Sequence, residues 1–526
     1  MQMHHHEKLL KAMLKPDFYP HPTADIELRQ THISSVILAG PYAYKIKKPV
    51  DLGFLDFTTL EKRKHFCDQE IKLNKRLSRK VYLQRLPIAL NDRVYRFDGP
   101  GTVVDYAVLM HRLDDDEAMD QQLKQGLINE KNIIDLAGLL VNFYSHASVT
   151  KTIKPSEAAQ IAGQPAVENF KALDPFVGIF VDGKNLDFVK RSTHDFLEHH
   201  RNLFAARVQQ SKIRDCHGDL RTDHIYFTHD GIQIIDCIEF SDQLRCQDII
   251  SDLAFLIMDL AARDAPQEAE TLLDFYIKQS NDFGAMALLD FYRCYRAMVC
   301  CKVCCLTLQQ TDPTSARHDK LHRDAEKYLS MAHTYAAAFS RPVVWAVCGL
   351  PASGKSTIAS KLAGLFDLKW LRSDEIRKKI FASLPAATGE NTFGRGLYSS
   401  EATASTYDRM ISLAGNLLSA GNGVVLDATF SSAQWREAVF KMVDRYQAKL
   451  IFVECTAPET TLASRLKKRE TEPSLSDARL EHLAEFKSRF EPFTLPDDVL
   501  HINVNTEYPI ENILDKIVTH YSHLMA

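Results

Sequence analysis

The sequence predicts two domains of different class. The first is a mixed α+β domain, a small β-rich lobe followed by a larger helical lobe; the second is an α/β domain on a parallel sheet with helices on both faces. Three observations carry this reading. A chain of 526 residues exceeds one ordinary hydrophobic core. The first 110 or so residues are strand-rich, whereas the stretches from about Asp116 to Gln210 and onward to about Ala338 are mostly helical. After Arg341-Pro342 apolar strands alternate with helical segments, the pattern of a parallel sheet. The expected domains are residues 1–338 and 339–526.

Composition narrows the class. With 45% hydrophobic and 25% charged residues the chain falls among globular proteins. Its most apolar stretch, Leu253 to Ala262, is interrupted by Asp259 and too short to span a bilayer. MQMHHHEKLL lacks the basic-then-apolar pattern of a signal peptide, so a cytoplasmic location without membrane partners is expected. His4 to His6 are read as part of an unstructured end. The VCCKVCC cluster reads as small side chains packing a helix face, because no second ligand pair stands at zinc-site spacing. From Arg341 onward 22 Lys and Arg balance 22 Asp and Glu, which argues against bulk electrostatic binding of duplex nucleic acid.

In the N-terminal domain, SSVILAG and YAYKIKK flank a Gly40-Pro41 turn and form a hairpin. TTLEKRKHFCDQEIKLNKRL has helical apolar spacing at Phe66, Leu73 and Leu77, and VVDYAVLMHRL is a further strand. In HGDLRTDHIYFTHDGIQIIDCIEF, the strands IYF and IQII are joined through Asp230-Gly231. Asp219 and Asp236 stand at the two ends of this hairpin, so closing it brings the carboxylates together. One can take a proton from an acceptor hydroxyl while the other binds Mg2+.

In the C-terminal domain, the buried strand VVWAVC leads into GLPASGKST and then a helix. Gly349 to Ser356 fit the phosphate-loop pattern G-x-x-x-x-G-K-[ST]. Gly349, Leu350, Pro351, Ala352, Ser353, Gly354, Lys355, Ser356 and Thr357 would wrap the ATP phosphates, helped by the helix N-terminus. Lys355 would neutralise the β- and γ-phosphates and the Ser356 hydroxyl would hold Mg2+. In LRSDEIRKKIF, Ser373 caps a helix on which Asp374 and Arg377 share one face. Asp427 ends the apolar strand of LDATF, where a metal-linked carboxylate belongs. Arg465 and Arg469, one turn apart in RLKKRE, form either a lid over ATP or a solvated face.

GLPASGKST, SDEIR, LDATF with Arg436 behind it, and the Arg465/Arg469 helix together resemble the P-loop kinase group that contains phage polynucleotide kinase and the zeta toxins. The resemblance covers about the last 185 residues. It implies a P-loop NTPase fold with Asp374 as catalytic base, Arg377 as substrate clamp and Arg465 or Arg469 as lid arginine.

HGDL…IIDCIEF resembles the aminoglycoside phosphotransferase and choline kinase families, relatives of protein kinases, over roughly residues 30–335. This implies a two-lobed protein-kinase-like fold with Asp219 as base, Asp236 as Mg2+ ligand and Glu239 as a further one. It also implies Lys45 as the ATP-phosphate lysine with Glu70 as its ion-pair partner, although Lys47 lies on the same strand face. The sequence departs from the family at His224, which stands where an Asn helps to hold Mg2+; imidazole can ligate metal, but Mg2+ prefers oxygen. Arg221 replaces a commoner His, and no glycine-rich loop precedes Lys45. The tandem order of the two domains resembles a family of bacterial proteins.

The expected activity is ATP- and Mg2+-dependent phosphoryl transfer by the C-terminal domain to a hydroxyl of a small molecule or a nucleic-acid end. The N-terminal domain would be a second kinase or a substrate-recognition domain. The alternative is an ATP-dependent regulatory switch with a degenerate N-terminal site.

Overall fold

Alternation of side chains along two neighbouring strands sets the architecture of the N-terminal site. In the computed structural model, which describes residues 2–23, 25–53, 55–381, 399–471, 478–496 and 499–525, six strands form one antiparallel sheet. They are β1 (Ile26–Gln30), β2 (Ser34–Ala39), β3 (Tyr42–Lys47), β4 (Tyr82–Asn91), β5 (Val94–Phe97) and β6 (Thr102–His111), in the order β1-β2-β3-β6-β4-β5. Ile37, Ala39, Tyr44 and Ile46 pack one face against Leu9, Leu10 and Met13 of the Gln2–Met13 helix. Leu38 and Ala43 point the other way, toward Cys67 of the Leu60–Asn74 helix. Lys45 and Lys47, two and four residues beyond Ala43, share this second face.

The Gln2–Met13 helix corrects the expectation of an unstructured end. Three buried apolar residues at helical spacing anchor it, and His6 is buried with its ring 3.3 Å from the Ser35 hydroxyl.

The chain packs as two compact units: Met1–Thr152 with Gln210–Tyr276, and Ile153–Gln209 with Ile277–Ala526. The first unit also holds the hairpin of β8 (Ile225–Thr228) and β9 (Gly231–Ile234), the short pair β7 (Ile213–Asp215) and β10 (Cys246–Asp248), and the buried Ile249–Ala262 helix.

The second unit contains a five-stranded parallel sheet of β11 (Val343–Cys348), β12 (Lys369–Arg372), β13 (Val424–Asp427), β14 (Lys449–Thr456) and β15 (Leu500–Asn505), ordered β12-β13-β11-β14-β15. Val344 and Ala346 face the Ser400–Ser419 and Ala433–Tyr446 helices. Trp345 points to the other side, against Phe366 and Tyr521. Helices therefore cover both faces, and the apolar runs of β11, β13 and β14 are buried accordingly. The same unit includes helices Leu289–Leu308 and Ala316–Ser340, and the expected boundary at 338/339 falls within it. Cys301, Cys304 and Cys305 are buried in the Leu289–Leu308 helix. No described helix is long and apolar enough to cross a membrane.

Candidate functional site

Two constellations of charged residues stand out, one in each unit. In the second, β11 lies at the sheet centre with β13 on one side and β14 on the other, so the chain leaving it emerges at a switch point. The loop after Cys348 uses left-handed backbone at Gly349 (φ +133°), Ala352 (φ +63°) and Gly354 (φ +86°). A Cβ at Gly349 would lie 2.3 Å from the Cys455 carbonyl oxygen, so only glycine fits. Gly354 then caps the Lys355–Leu365 helix, whose first N–H groups face the loop.

At the end of β13, Asp427 is buried and hydrogen-bonded by Ser356. Burial pushes its carboxyl up from the usual range, against the opposing pull of Lys355, Ser356 and Arg372. Arg372, which the sequence reading passed over, brings its Nε within 3.8 Å of Asp427 Oδ2 from the end of β12. A loop admitting no side chain at Gly349, followed by a lysine and a serine bonded to a strand-end carboxylate, fits a nucleotide triphosphate. Loop N–H groups and Lys355 would hold the phosphates; Ser356 and Asp427 would hold Mg2+.

The two helix arginines have different surroundings. Arg465 donates to the Ala352 carbonyl at 3.2 Å and to the Thr506 hydroxyl and carbonyl at 2.9 Å each, bracing the phosphate loop. Thr506 in turn donates to the Ser353 carbonyl at 2.7 Å. Arg469, a turn further on, is partly buried; burial lowers its pKa while the nearby Asp374 and Asp427 oppose the shift. Arg436, expected behind Asp427, is buried and donates to the Phe430 and Pro492 carbonyls.

Asp374 and Arg377 lie in the first turns of the Ser373–Ile380 helix, Nη1 to Oδ1 at 3.0 Å. Two cavities flank the loop. One of about 380 Å³ is lined by Gly354, Thr357, Arg469 and Tyr508. The other, about 140 Å³, is lined by Lys355, Asp374, Arg377, Tyr407 and Trp435.

In the first unit, closing the β8–β9 hairpin brings Asp219 and Asp236 to either side of one imidazole. His224 Nδ1 lies 3.7 Å from Asp219 Oδ2, and its Nε2 lies 3.8 Å from Asp236 Oδ2. Nδ1 donates to the Asp219 carbonyl at 2.9 Å; burial alone would lower the pKa of the ring, but Asp223, Asp219 and Asp236 outweigh it and raise it. His217 ties the hairpin ends together: its Nε2 donates to the Ile235 carbonyl at 2.9 Å and its Nδ1 accepts from the Asp219 N–H at 3.3 Å. Asp236 takes a left-handed φ of +65°.

Opposite the hairpin, Lys45 pairs with Glu70 at 2.8 Å and with Asp236. Lys47 pairs with the second Glu70 oxygen at 2.8 Å and with Glu239. Glu70 therefore bridges both lysines; Lys45 is the one that meets Asp236, while Glu239 is engaged by Lys47. Burial alone would raise the Asp236 carboxyl, but Lys45 and His224 outweigh it and hold it well below the usual range. Arg221, His224 and His217 likewise overcome burial to keep Asp219 low. Glu239 shifts the other way, because burial outweighs Lys47.

The residues that orient this loop were not singled out from sequence. Asp252 accepts from the His217 and Gly218 N–H groups at 3.0 and 2.8 Å. Asp259 accepts from the Thr222 N–H at 2.9 Å and its hydroxyl at 2.6 Å. Two aspartates inside an otherwise apolar helix, IISDLAFLIMDLAA, were the available signal.

Comparison with known proteins agrees with this division of chemistry. The model of the phosphotransferase enzyme family matches residues 168–289, and an AAA domain model matches residues 344–493. The Mycobacterium tuberculosis H37Rv protein Rv2004c and the Mycobacterium bovis protein Mb2027c are each 30% identical over 452 residues, covering 85% of this chain and 87% of theirs. Among solved structures, a choline/ethanolamine kinase family protein from Mesorhizobium loti is 12% identical, covering 63% of this chain and 99% of its own, with TM-score 0.37. The Mycobacterium tuberculosis APS kinase is 18% identical, covering 35% of this chain and 98% of its own, with TM-score 0.25. The chain thus belongs to the family of the mycobacterial protein Rv2004c, with an aminoglycoside phosphotransferase-like domain preceding a P-loop kinase domain.

Proposed function

We propose that the chain is an ATP- and Mg2+-dependent phosphotransferase whose P-loop domain transfers the γ-phosphoryl group to an acceptor hydroxyl. The observation that carries this reading is the shared cavity of Lys355, Asp374 and Arg377 beside the Ser356–Asp427 pair. A carboxylate and an arginine placed there are superfluous for nucleotide binding alone. Asp374 takes the acceptor proton, Arg377 positions that carboxylate and the substrate, and Lys355 neutralises charge on the phosphates. Arg469 faces the same carboxylates and supplies positive charge from the lid helix, while Arg465 keeps the loop in shape. Bound Mg2+ would draw charge from the transferring phosphoryl group.

The nucleoside would occupy the 380 Å³ cavity on the far side of the loop, beside Thr357 and Tyr508. The N-terminal domain would be a second kinase or a substrate-recognition domain, with ATP phosphates meeting Lys45 and Mg2+ meeting Asp236. A regulatory role for that domain draws support from its internally paired charges: Asp236 and Glu239 are held by Lys45 and Lys47. A cytoplasmic site of action suits an ATP-consuming reaction.

Lys355→Ala in the full-length chain should reduce ATP consumption at least 100-fold, as followed by ADP release. Unchanged turnover would remove the P-loop domain from the reaction.

A further inference from the structure

We propose that the acceptor of the P-loop site is a compact, uncharged polyhydroxy compound no larger than a monosaccharide, seated between Asp374 and the Trp435–Tyr407 pair. This rests on the phosphotransferase reading above and adds the acceptor class to it.

Position comes first. Lys355 and Asp374 line the same 140 Å³ cavity, so an occupant lies within reach of both the phosphate-binding lysine and the base. Size comes second. At about 140 Å³ the cavity lies below the roughly 300 to 1,000 Å³ of sites for drug-sized ligands. A whole nucleotide is too large for that space.

The walls supply the chemistry. The Trp435 and Tyr407 rings stack at 4.7 Å with planes 8° apart. Tyr407 is fixed: its hydroxyl accepts from the Phe430 N–H at 3.0 Å and lies 3.2 Å from the Thr429 hydroxyl. Trp435, stacked on it, is an apolar wall, and Thr403, Thr429 and Ser431 line the same space. An apolar wall with neutral hydroxyl-bearing residues matches a ligand that is apolar on its C–H face and hydrogen-bonding at its edges. Charge favours a neutral acceptor: Arg377 is paired with Asp374, and Arg489 with Glu485 at 2.5 Å. Among the described residues lining the cavity, Lys355 is the remaining cation, and the transferred phosphate takes it.

The step balances. The acceptor oxygen forms a bond to the γ-phosphorus as the bond from that phosphorus to the β–γ bridging oxygen breaks. The electron pair leaves on ADP, and the acceptor proton passes to the Asp374 carboxylate.

The test uses the full-length chain with γ-labelled ATP against separate panels of three- to six-carbon polyols and monosaccharides, nucleosides, 5′-hydroxyl oligonucleotides and proteins. The expected result is label on a member of the first panel. Trp435→Ala should then raise KM for it about tenfold or more with a smaller change in kcat, and Trp435→Phe should restore KM because the aromatic wall is kept. Label on an oligonucleotide, nucleoside or protein would overturn the acceptor class and leave the phosphotransferase intact. Label in no panel would overturn the proposal as well. ATP turnover undiminished by Lys355→Ala would instead sink the underlying kinase reading.

Discussion

The loop from His217 to His224 is held in shape by two carboxylates it does not contain. Asp252 and Asp259 each accept two hydrogen bonds from it, and His217 ties it to the Ile235 carbonyl just beyond β9. Asp252→Ala should leave two buried N–H groups without their acceptor, a loss of about 3 kcal/mol that chemical denaturation would read. At the P-loop, Asp374→Asn should lower kcat by about 10² to 10⁴ with little change in KM for ATP, the range for removing one general base. Gly349→Ala should disrupt nucleotide binding, since its Cβ would meet the Cys455 carbonyl oxygen at 2.3 Å; titration with a non-hydrolysable ATP analogue would show this. Residues of these kinds differed in how far sequence exposed them. Lys355, Ser356 and Asp427 are legible because spacing along one loop and one strand places them. Asp252 is not, because its partners lie 34 and 35 residues away in sequence. That Lys45 meets Asp236 while Lys47 meets Glu239 rests on contacts 191 and 192 residues apart in sequence, which no local pattern reveals.

Among elements, β11, β13 and β14 are legible as short apolar runs, because a strand buried on both faces must be apolar throughout, whereas β12 and β15 at the sheet edges are only partly buried. β1, β4 and β5 were not singled out: β1 and β5 are short edge strands without a fully buried residue, and β4 pairs with β6 through two register shifts. The Gln2–Met13 helix was hidden by its histidines, yet His6 is one of its buried residues. Burial, with Lys48, Arg63 and His5 adding to it, lowers the His6 pKa from 6.5 to about 4. The folded state therefore prefers neutral His6. Its contribution to stability is complete above about pH 6.5 and is lost as pH falls toward 4. The melting temperature should drop across that window, and His6→Asn should flatten the drop in thermal scans. An identical slope in the variant would assign the effect to other groups.

At the scale of the whole molecule, the two sites occupy separate compact units, and the units interleave along the chain. Helices that lie between the N-terminal sheet and the hairpin in sequence, within Ile153–Gln209, pack in the unit that carries the P-loop. Helical periodicity shows which face of a helix is buried and is silent on which core receives it, so this grouping was beyond the sequence. The tandem of chemistries was legible because each site keeps its reactive residues in one or two short motifs. The most direct test of the central claim is transfer of γ-labelled phosphate from ATP to an acceptor by the full-length chain, its Asp374→Asn variant and its Asp219→Asn variant. The P-loop account predicts that labelled product falls at least 100-fold in Asp374→Asn and persists in Asp219→Asn. Undiminished transfer in Asp374→Asn would contradict it.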